Sequence, residues 1–299
     1  MKNDSEQILL SVIVPIGDMA GHLEFLEIWL KEISNHPLEV ILVHDKTFLS
    51  VGSELTRLLE SVNSSKIILT QGVFGNPGSA RNAGLEFANG SWIGFWDSDD
   101  FPNVENILAA IDSSHESDEV LVGDFSIFDI TRMEYKNSSL RSHGINAVAM
   151  NPGVWRMVFR RQTISNTRFP SLKMGEDQVF LSRLNFGIRN LRFVDSIFYQ
   201  YNVGQASQLT KSRIALKDLP LASEMILVHA KTTTRNQTIF DMQLFFRQQI
   251  TVLKNGNFKL RFSTCKFIGG YLKGVNINFL VGSVIALYRV LRMIRVSGI

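Results

Sequence analysis

Two stretches decide how this chain is read: Gly75-Asn76-Pro77-Gly78-Ser79-Ala80-Arg81-Asn82-Ala83-Gly84 and, just after it, Gly90-Ser91-Trp92-Ile93-Gly94-Phe95-Trp96-Asp97-Ser98-Asp99-Asp100. Glycine and proline in 75–78 punctuate a loop. Ser79 is placed to cap a helix whose Ala80, Ala83, Gly84 and Phe87 share one apolar face, and Gly90 suits the position just past that helix. Trp92 to Trp96 is unbroken apolar, as expected of a strand buried on both faces of a parallel sheet. Asp97, Asp99 and Asp100 then fall at the carboxyl end of the strand, where open α/β sheets bind ligands. Carboxylates this close repel one another unless a cation or donors compensate. Hard oxygen ligands favour Mg²⁺ or Mn²⁺, and Mg²⁺ typically binds through one or two carboxylates plus substrate phosphates. Arg81 would supply positive charge to the same anion. The plainer alternative is an exposed Asp-rich turn with Ser98 as a helix cap.

Working back to the N-terminus, Ile8 to Ile16 reads as a strand and Leu23, Leu26, Trp29, Leu30 and Ile33 as a helical stripe. Glu39 to Val43 is a second strand ending at His44-Asp45; Leu55, Leu58, Leu59 and Val62 mark a helix, and Lys66 to Thr70 a third strand. Strands alternating with helices predict a mainly parallel, doubly wound sheet. No Gly-x-Gly-x-x-Gly follows the first strand and no P-loop is present, which disfavours a dehydrogenase-type dinucleotide fold. Asp45, at a strand end, is placed to read a base or ribose, or else to cap a turn.

Working forward, Val104, Ile107, Leu108 and Ile111 predict a helix and Glu119 to Ile130 a long strand. Residues 131–151 are polar and aperiodic. Val154 to Arg161 reads as a short amphipathic helix, with Trp155 and Phe159 in the core. Met174-Gly175-Glu176-Asp177 leads into a helix with Val179, Phe180 and Leu184 inward; its two carboxylates gain stabilisation from the helix dipole. Leu191 to Tyr201 reads as a strand with Phe193, Ile197 and Tyr199 on one face.

The chain resembles the inverting, nucleotide-sugar-dependent glycosyltransferases of family 2, which have the GT-A fold. The resemblance rests on Ser-Val-Ile-Val-Pro at 11–15, Ala80-Arg81-Asn82-Ala83-Gly84, Asp97-Ser98-Asp99-Asp100, Gly175-Glu176-Asp177 and Gln205-Ala206-Ser207-Gln208-Leu209-Thr210, in the family's order. It covers about residues 8 to 212 and implies a catalytic domain over 1–213; from about Ile214 the apolar pattern itself turns helical, so 214–299 reads as a helical, basic, apolar region. It also implies Asp177 as the general base, Asp99 with Asp97 at a Mn²⁺ or Mg²⁺ ion, and Pro15, Asp45, Gly78, Arg81 and Asp97 on the donor. Glu176 would contact acceptor or structure, Asp100 would support the cluster, and 207–210 would close over the diphosphate. The expected donor is a UDP-sugar and the expected acceptor a glycan or lipid-linked glycan, in surface polysaccharide synthesis. The sequence departs from the family at His44-Asp45-Lys46-Thr47, where Asp-Asp-Gly-Ser is usual, and at Pro15-Ile16-Gly17-Asp18, which lacks the usual aromatic and Asn. Those departures leave the base identity open and give some weight to a second reading: a nucleotide-sugar-binding or membrane assembly module without turnover. A nucleotidyltransferase is disfavoured by the missing basic glycine-rich loop.

Composition sets the outer bounds. A chain of 299 residues with 45% apolar content supports a sizeable core. Its one cysteine, Cys265, rules out a disulfide framework within the chain and fits a reducing compartment. No secretory signal is apparent, so a cytoplasmic location, peripheral on the inner membrane face, is expected. The net charge of +3 is unevenly spread. After Asp241, the last acid, come nine bases: Arg247, Lys254, Lys259, Arg261, Lys266, Lys273, Arg289, Arg292 and Arg295. Such asymmetry points to an anionic partner for the tail. Nucleic acid is not expected, because these bases lie in an apolar segment rather than a polar groove. Ile277 to Tyr288 is nearly apolar but short of the roughly 18–20 residues a spanning helix needs. It would lie in an anionic membrane interface, or pack on the core or on a second subunit of a homo-oligomer.

Overall fold

The computed structural model describes residues 8–18, 23–33, 36–62, 64–136, 144–204, 214–256, 260 and 277–297. The chain forms two compact units: Met1–Arg141, Val154–Ser171 and Asn190–Gln208 make the first, and Ser142–Gly153, Leu172–Arg189 and Leu209–Ile299 the second. The segments 142–153 and 172–189 join the C-terminal helices, on which they bury apolar side chains.

In the first unit, β1 (Leu10–Ile16), α1 (Leu23–Glu32), β2 (Leu38–Asp45), α2 (Leu49–Val62), β3 (Ile67–Gly72), α3 (Pro77–Leu85) and β4 (Trp92–Phe95) alternate as the periodicity predicts. They are followed by β5 (Phe101–Pro102), α4 (Val104–Asp112), β6 (Val120–Asp129), β7 (Glu134–Lys136), β8 (Met157–Arg160), α6 (Arg161–Ile164) and β9 (Leu191–Val203). The sheet order is β3-β2-β1-β4-β8-β6-β9-β5, with β7 on β6. From β3 to β4 every pairing is parallel. Beyond β4 the sheet is mixed: β8 runs antiparallel to both neighbours, whereas β6 and β9 are parallel. Strands β1, β2 and β4 are almost wholly buried, which explains their near-continuous apolar sequences.

Three local expectations fail for identifiable reasons. The segment 154–161 is not an amphipathic helix but a 3₁₀ turn, Val154–Arg156, followed by β8. Met157, Val158 and Phe159 are all buried in the sheet centre, and a short apolar run covered on both faces looks alike in either conformation. Trp155 is still core, stacked 4.8 Å from Tyr199 and 5.5 Å from Tyr201. Helix α3 is capped by Asn76, whose side chain accepts from the Ser79 amide, with Pro77 in its first turn. It ends at Leu85, so Phe87 is exposed. Ile197 is exposed while Tyr199 is buried, because the β6–β9 register shifts on either side of Asp124.

The second unit holds α5 (Ile145–Met150), α7 (Glu176–Arg183), α8 (Leu219–Thr232), α9 (Arg235–Asn255) and α10 (Ile277–Ser297). Helix α9 is the one on which α5, α8 and α10 pack, and most of its residues are buried. None of the described helices is long and apolar enough to cross a membrane. The segment Gln205–Thr210, Lys211, Arg213, Cys265 and the bases Lys259, Arg261, Lys266 and Lys273 lie outside the described residues.

Candidate active site

In the first unit β4 delivers the acidic cluster to the carboxyl edge of the sheet, and β9 fixes it there. The Asp97 amide donates to the Tyr199 hydroxyl (2.8 Å), which donates in turn to the Asp97 carbonyl (3.3 Å). The Asn202 side-chain amide donates to the Asp99 carbonyl (2.8 Å), and the Asn202 backbone amide to Oδ1 of Asp100 (2.7 Å). Tyr199 and Asn202 are both fully buried. Burial, then Asp97, pushes the Asp99 carboxyl up to about 6. Burial followed by Asp99 and Asp97 holds Asp100 well above the usual carboxylate range, with the Asn202 amide and Tyr199 hydroxyl giving partial relief. The cluster is thus electrostatically loaded, as its spacing predicts.

Arg81, buried on α3, donates to Oδ1 of Asp97 at 2.8 Å and lies over the Phe169 ring. Its charge therefore offsets Asp97 first. Gly78 lies on the same helix where a side-chain carbon would meet the Pro170 carbonyl oxygen at 2.3 Å, so only glycine fits there. Asp45, at the end of β2, is a loop staple. Its Oδ1 accepts from the Thr47 amide and hydroxyl and the Phe74 amide, and its Oδ2 from the Gly75 amide (2.6 Å). Burial raises this carboxyl, but those donors outweigh it and hold the group below its ordinary range. Pro15 pairs with Val43 near the end of β1. Beside this edge Phe48 is 37% exposed, its ring 3.6 Å from where a Gly17 side-chain carbon would sit. Its backbone is fixed by its own amide on the Asp45 carbonyl and by its carbonyl, which accepts from His44 Nε2.

In the second unit Gly175 precedes α7 with φ +84°, a left-handed conformation that favours glycine. It aims Glu176 and Asp177 into the first turn of α7, where the helix dipole stabilises both. Glu176 is buried and Asp177 half-buried, with Oδ1 of Asp177 accepting from the Gln178 amide. Arg247 on α9 is pushed below its usual value by burial, and the Asp177 carboxylate opposes that shift. Farther along α7, Ser182 joins a polar network with His229 and the fully buried Asp241. His229 Nδ1 lies 2.8 Å from Oδ2 of Asp241, and Gln237 donates to Oδ1 at 2.7 Å.

Comparison with known proteins identifies the family. The model of the family described as Glycosyl transferase family 2 matches residues 11–181, spanning β1, the acidic cluster and the Gly175-Glu176-Asp177 turn. The chain belongs to glycosyl transferase family 2. An uncharacterized glycosyltransferase of Haemophilus influenzae is 25% identical over 181 residues, 59% of this chain and 72% of that one. The crystal structure of S. aureus TarS 1–349 in complex with UDP-GlcNAc superposes with a TM-score of 0.65 at 18% identity, covering 97% of this chain and 92% of that one. Mannosyltransferase PcManGT from Pyrobaculum calidifontis, in complex with GDP-Man and Mn²⁺, gives 0.56 at 12% identity, covering 96% and 86%. Both likenesses are of fold, and the fold is the GT-A type of this glycosyltransferase family.

For a family 2 enzyme the question is whether the acidic cluster suits a divalent cation. Among the described residues no three His, Cys, Asp or Glu side chains converge into a cage built by protein alone. The chemistry of the donors nevertheless fits a hard cation shared with substrate phosphates. Oδ2 of Asp100 is buried without a hydrogen-bond partner of good geometry, and the Asp97 and Asp99 charges raise Asp100 further. Tyr199, Asn202 and Phe48 were not singled out from sequence as site residues. Tyr199 and Asn202 reach the acidic cluster across more than a hundred residues of chain, and in β9, which mixes polar and apolar residues, nothing local marks them.

Proposed function

We propose that this family 2 glycosyltransferase moves a sugar from a nucleotide-sugar donor, a UDP-sugar, to a hydroxyl of a glycan or lipid-linked glycan, with inversion, in surface polysaccharide synthesis. The observation that carries this reading is the carboxylate cluster at the end of β4, braced by Tyr199 and Asn202 and faced by Arg81. Asp99, with Asp97 beside it, would hold Mn²⁺ or Mg²⁺, and Asp100 supports their backbone. When bound, that cation supplies neutralisation of the charge that develops on the departing nucleoside diphosphate.

On the donor side the Asp45 staple shapes the loop 74–75 near the base, and the exposed Phe48 ring offers it an apolar platform. A nucleobase stacks well on such a ring, so Phe48 takes the place of the aromatic that the first strand lacks. Gly78 lets α3 approach the Pro170 carbonyl closely, and Pro15 lies near the end of β1 on the donor side.

Asp177 acts as general base. It takes the proton of the acceptor hydroxyl as that oxygen bonds to the anomeric carbon, while the bond from that carbon to the diphosphate oxygen breaks. Inversion follows because attack and departure occur on opposite faces of the sugar, the logic of inverting hydrolases. Asp177→Asn tests this role. Turnover falls by about a hundred- to ten-thousand-fold, while calorimetry finds donor affinity with Mn²⁺ unchanged. Equal loss of both would remove Asp177 from the chemistry. Donor binding without turnover in the unaltered protein would make it a binding module instead.

A further inference from the structure

Helix α10 is apolar on both its buried and its exposed face. A helix on a protein surface normally turns its apolar stripe inward and its polar face to water. Here the buried residues are Phe279, Gly282, Ser283, Ala286 and Val290, and a side-chain carbon at Gly282 would lie 3.0 Å from Thr238 on α9. The outward face is apolar as well. Leu280, Val284, Leu287 and Leu291 recur at helical spacing, flanked by Val281 and Tyr288, and all are exposed, Val284 by 69% and Tyr288 by 63%. The packing of α10 on α9 leaves this stripe uncovered. A contiguous exposed apolar patch of this kind marks an interaction surface.

Charge decides what covers it. The chain has no acid after Asp241, and every charged residue of α10 is an arginine: Arg289, Arg292 and Arg295. Arg289 is anchored by donating to Asn146, and Arg292 is exposed at the edge of the stripe. A second copy would bring like charges together, whereas an anionic lipid surface accepts both the stripe and the bases. We propose that α10 lies flat in the headgroup region of an anionic bilayer, with 280, 281, 284, 287, 288 and 291 toward the acyl chains. This surface is independent of the transferase reading, and its test needs no turnover.

Flotation of the full chain with vesicles tests it, comparing phosphatidylcholine alone with about one part phosphatidylglycerol to three of phosphatidylcholine. The protein floats with the anionic vesicles, floats poorly with the neutral ones, and is progressively released as salt rises. The double variant Val284→Asp, Leu291→Asp changes only exposed positions, so its melting transition is kept while vesicle partitioning falls about tenfold or more. Leu253→Asp, at an exposed apolar position on α9, floats like the unaltered protein. Failure to float with either vesicle overturns the proposal, as does equal flotation of the double variant. Light scattering that finds a dimer split by Val284→Asp, Leu291→Asp, without vesicle binding, would assign the stripe to a second copy instead.

Discussion

The backbone amide of Asn202 donates to Oδ1 of Asp100 across 2.7 Å, tying the end of β9 to the acidic turn after β4. The same residue's side chain holds the Asp99 carbonyl. Asn202→Ala keeps the first bond and loses the second. It leaves a buried carbonyl short of a donor, at about 1–3 kcal/mol. On the proposed metal role the larger effect is on the cation, because residues that orient a ligand are worth about 10- to 100-fold in metal affinity. Mn²⁺ titrations of donor binding check this, with Asn202→Ala needing far more Mn²⁺ than the unaltered protein.

Phe48 is 37% exposed at the carboxyl edge of the sheet, and its backbone is held by bonds to the 44–45 segment. Phe48→Ala removes a stacking surface without opening a core cavity. The expected loss is about 1–3 kcal/mol of donor binding, seen in calorimetry as a weaker Kd for UDP with little change in melting temperature. A larger loss of stability than of binding would make Phe48 a packing residue.

Gly175 sits at φ +84°, and a side-chain carbon there would meet the Ala222 Cβ at 3.0 Å. Gly175→Ala therefore costs about 1–3 kcal/mol in backbone strain and shifts the first turn of α7. On the proposed base role of Asp177, misplacing that carboxylate by about 1 Å costs on the order of a hundredfold, so kcat falls much further than the donor Kd rises. Steady-state kinetics set beside calorimetry separate the two effects.

Asp241 is fully buried among His229, Gln237 and Ser182, with its carboxyl raised by burial and relieved by those partners. Asp241→Ala strands donors in the interior, and about 2–4 kcal/mol of stability is lost. Asp241→Asn keeps one acceptor oxygen and loses less. Urea denaturation of both variants gives the order Ala below Asn below the unaltered protein.

Much of this was legible in the order of residues. The alternation of apolar strands and helical stripes gave the parallel half of the sheet, because its inner strands β1, β2 and β4 are covered on both faces and need a continuous apolar run. The acidic cluster and the Gly175-Glu176-Asp177 turn could be seen for the same reason: each packs its chemistry into a few adjacent residues. Segment 154–161 could not, since a four-residue buried strand and a helix turn look alike in apolar pattern.

What folding alone settled is how the cluster is held and what faces outward. Tyr199 meets Asp97 across 102 residues of chain, and Asn202 meets Asp99 across 103, separations at which no local spacing carries a sign. The sequence determined that the tail is basic and apolar. Only packing against α9 determined which of its two apolar faces is buried and which is left exposed, because one helix face can be buried only once its neighbour is in place.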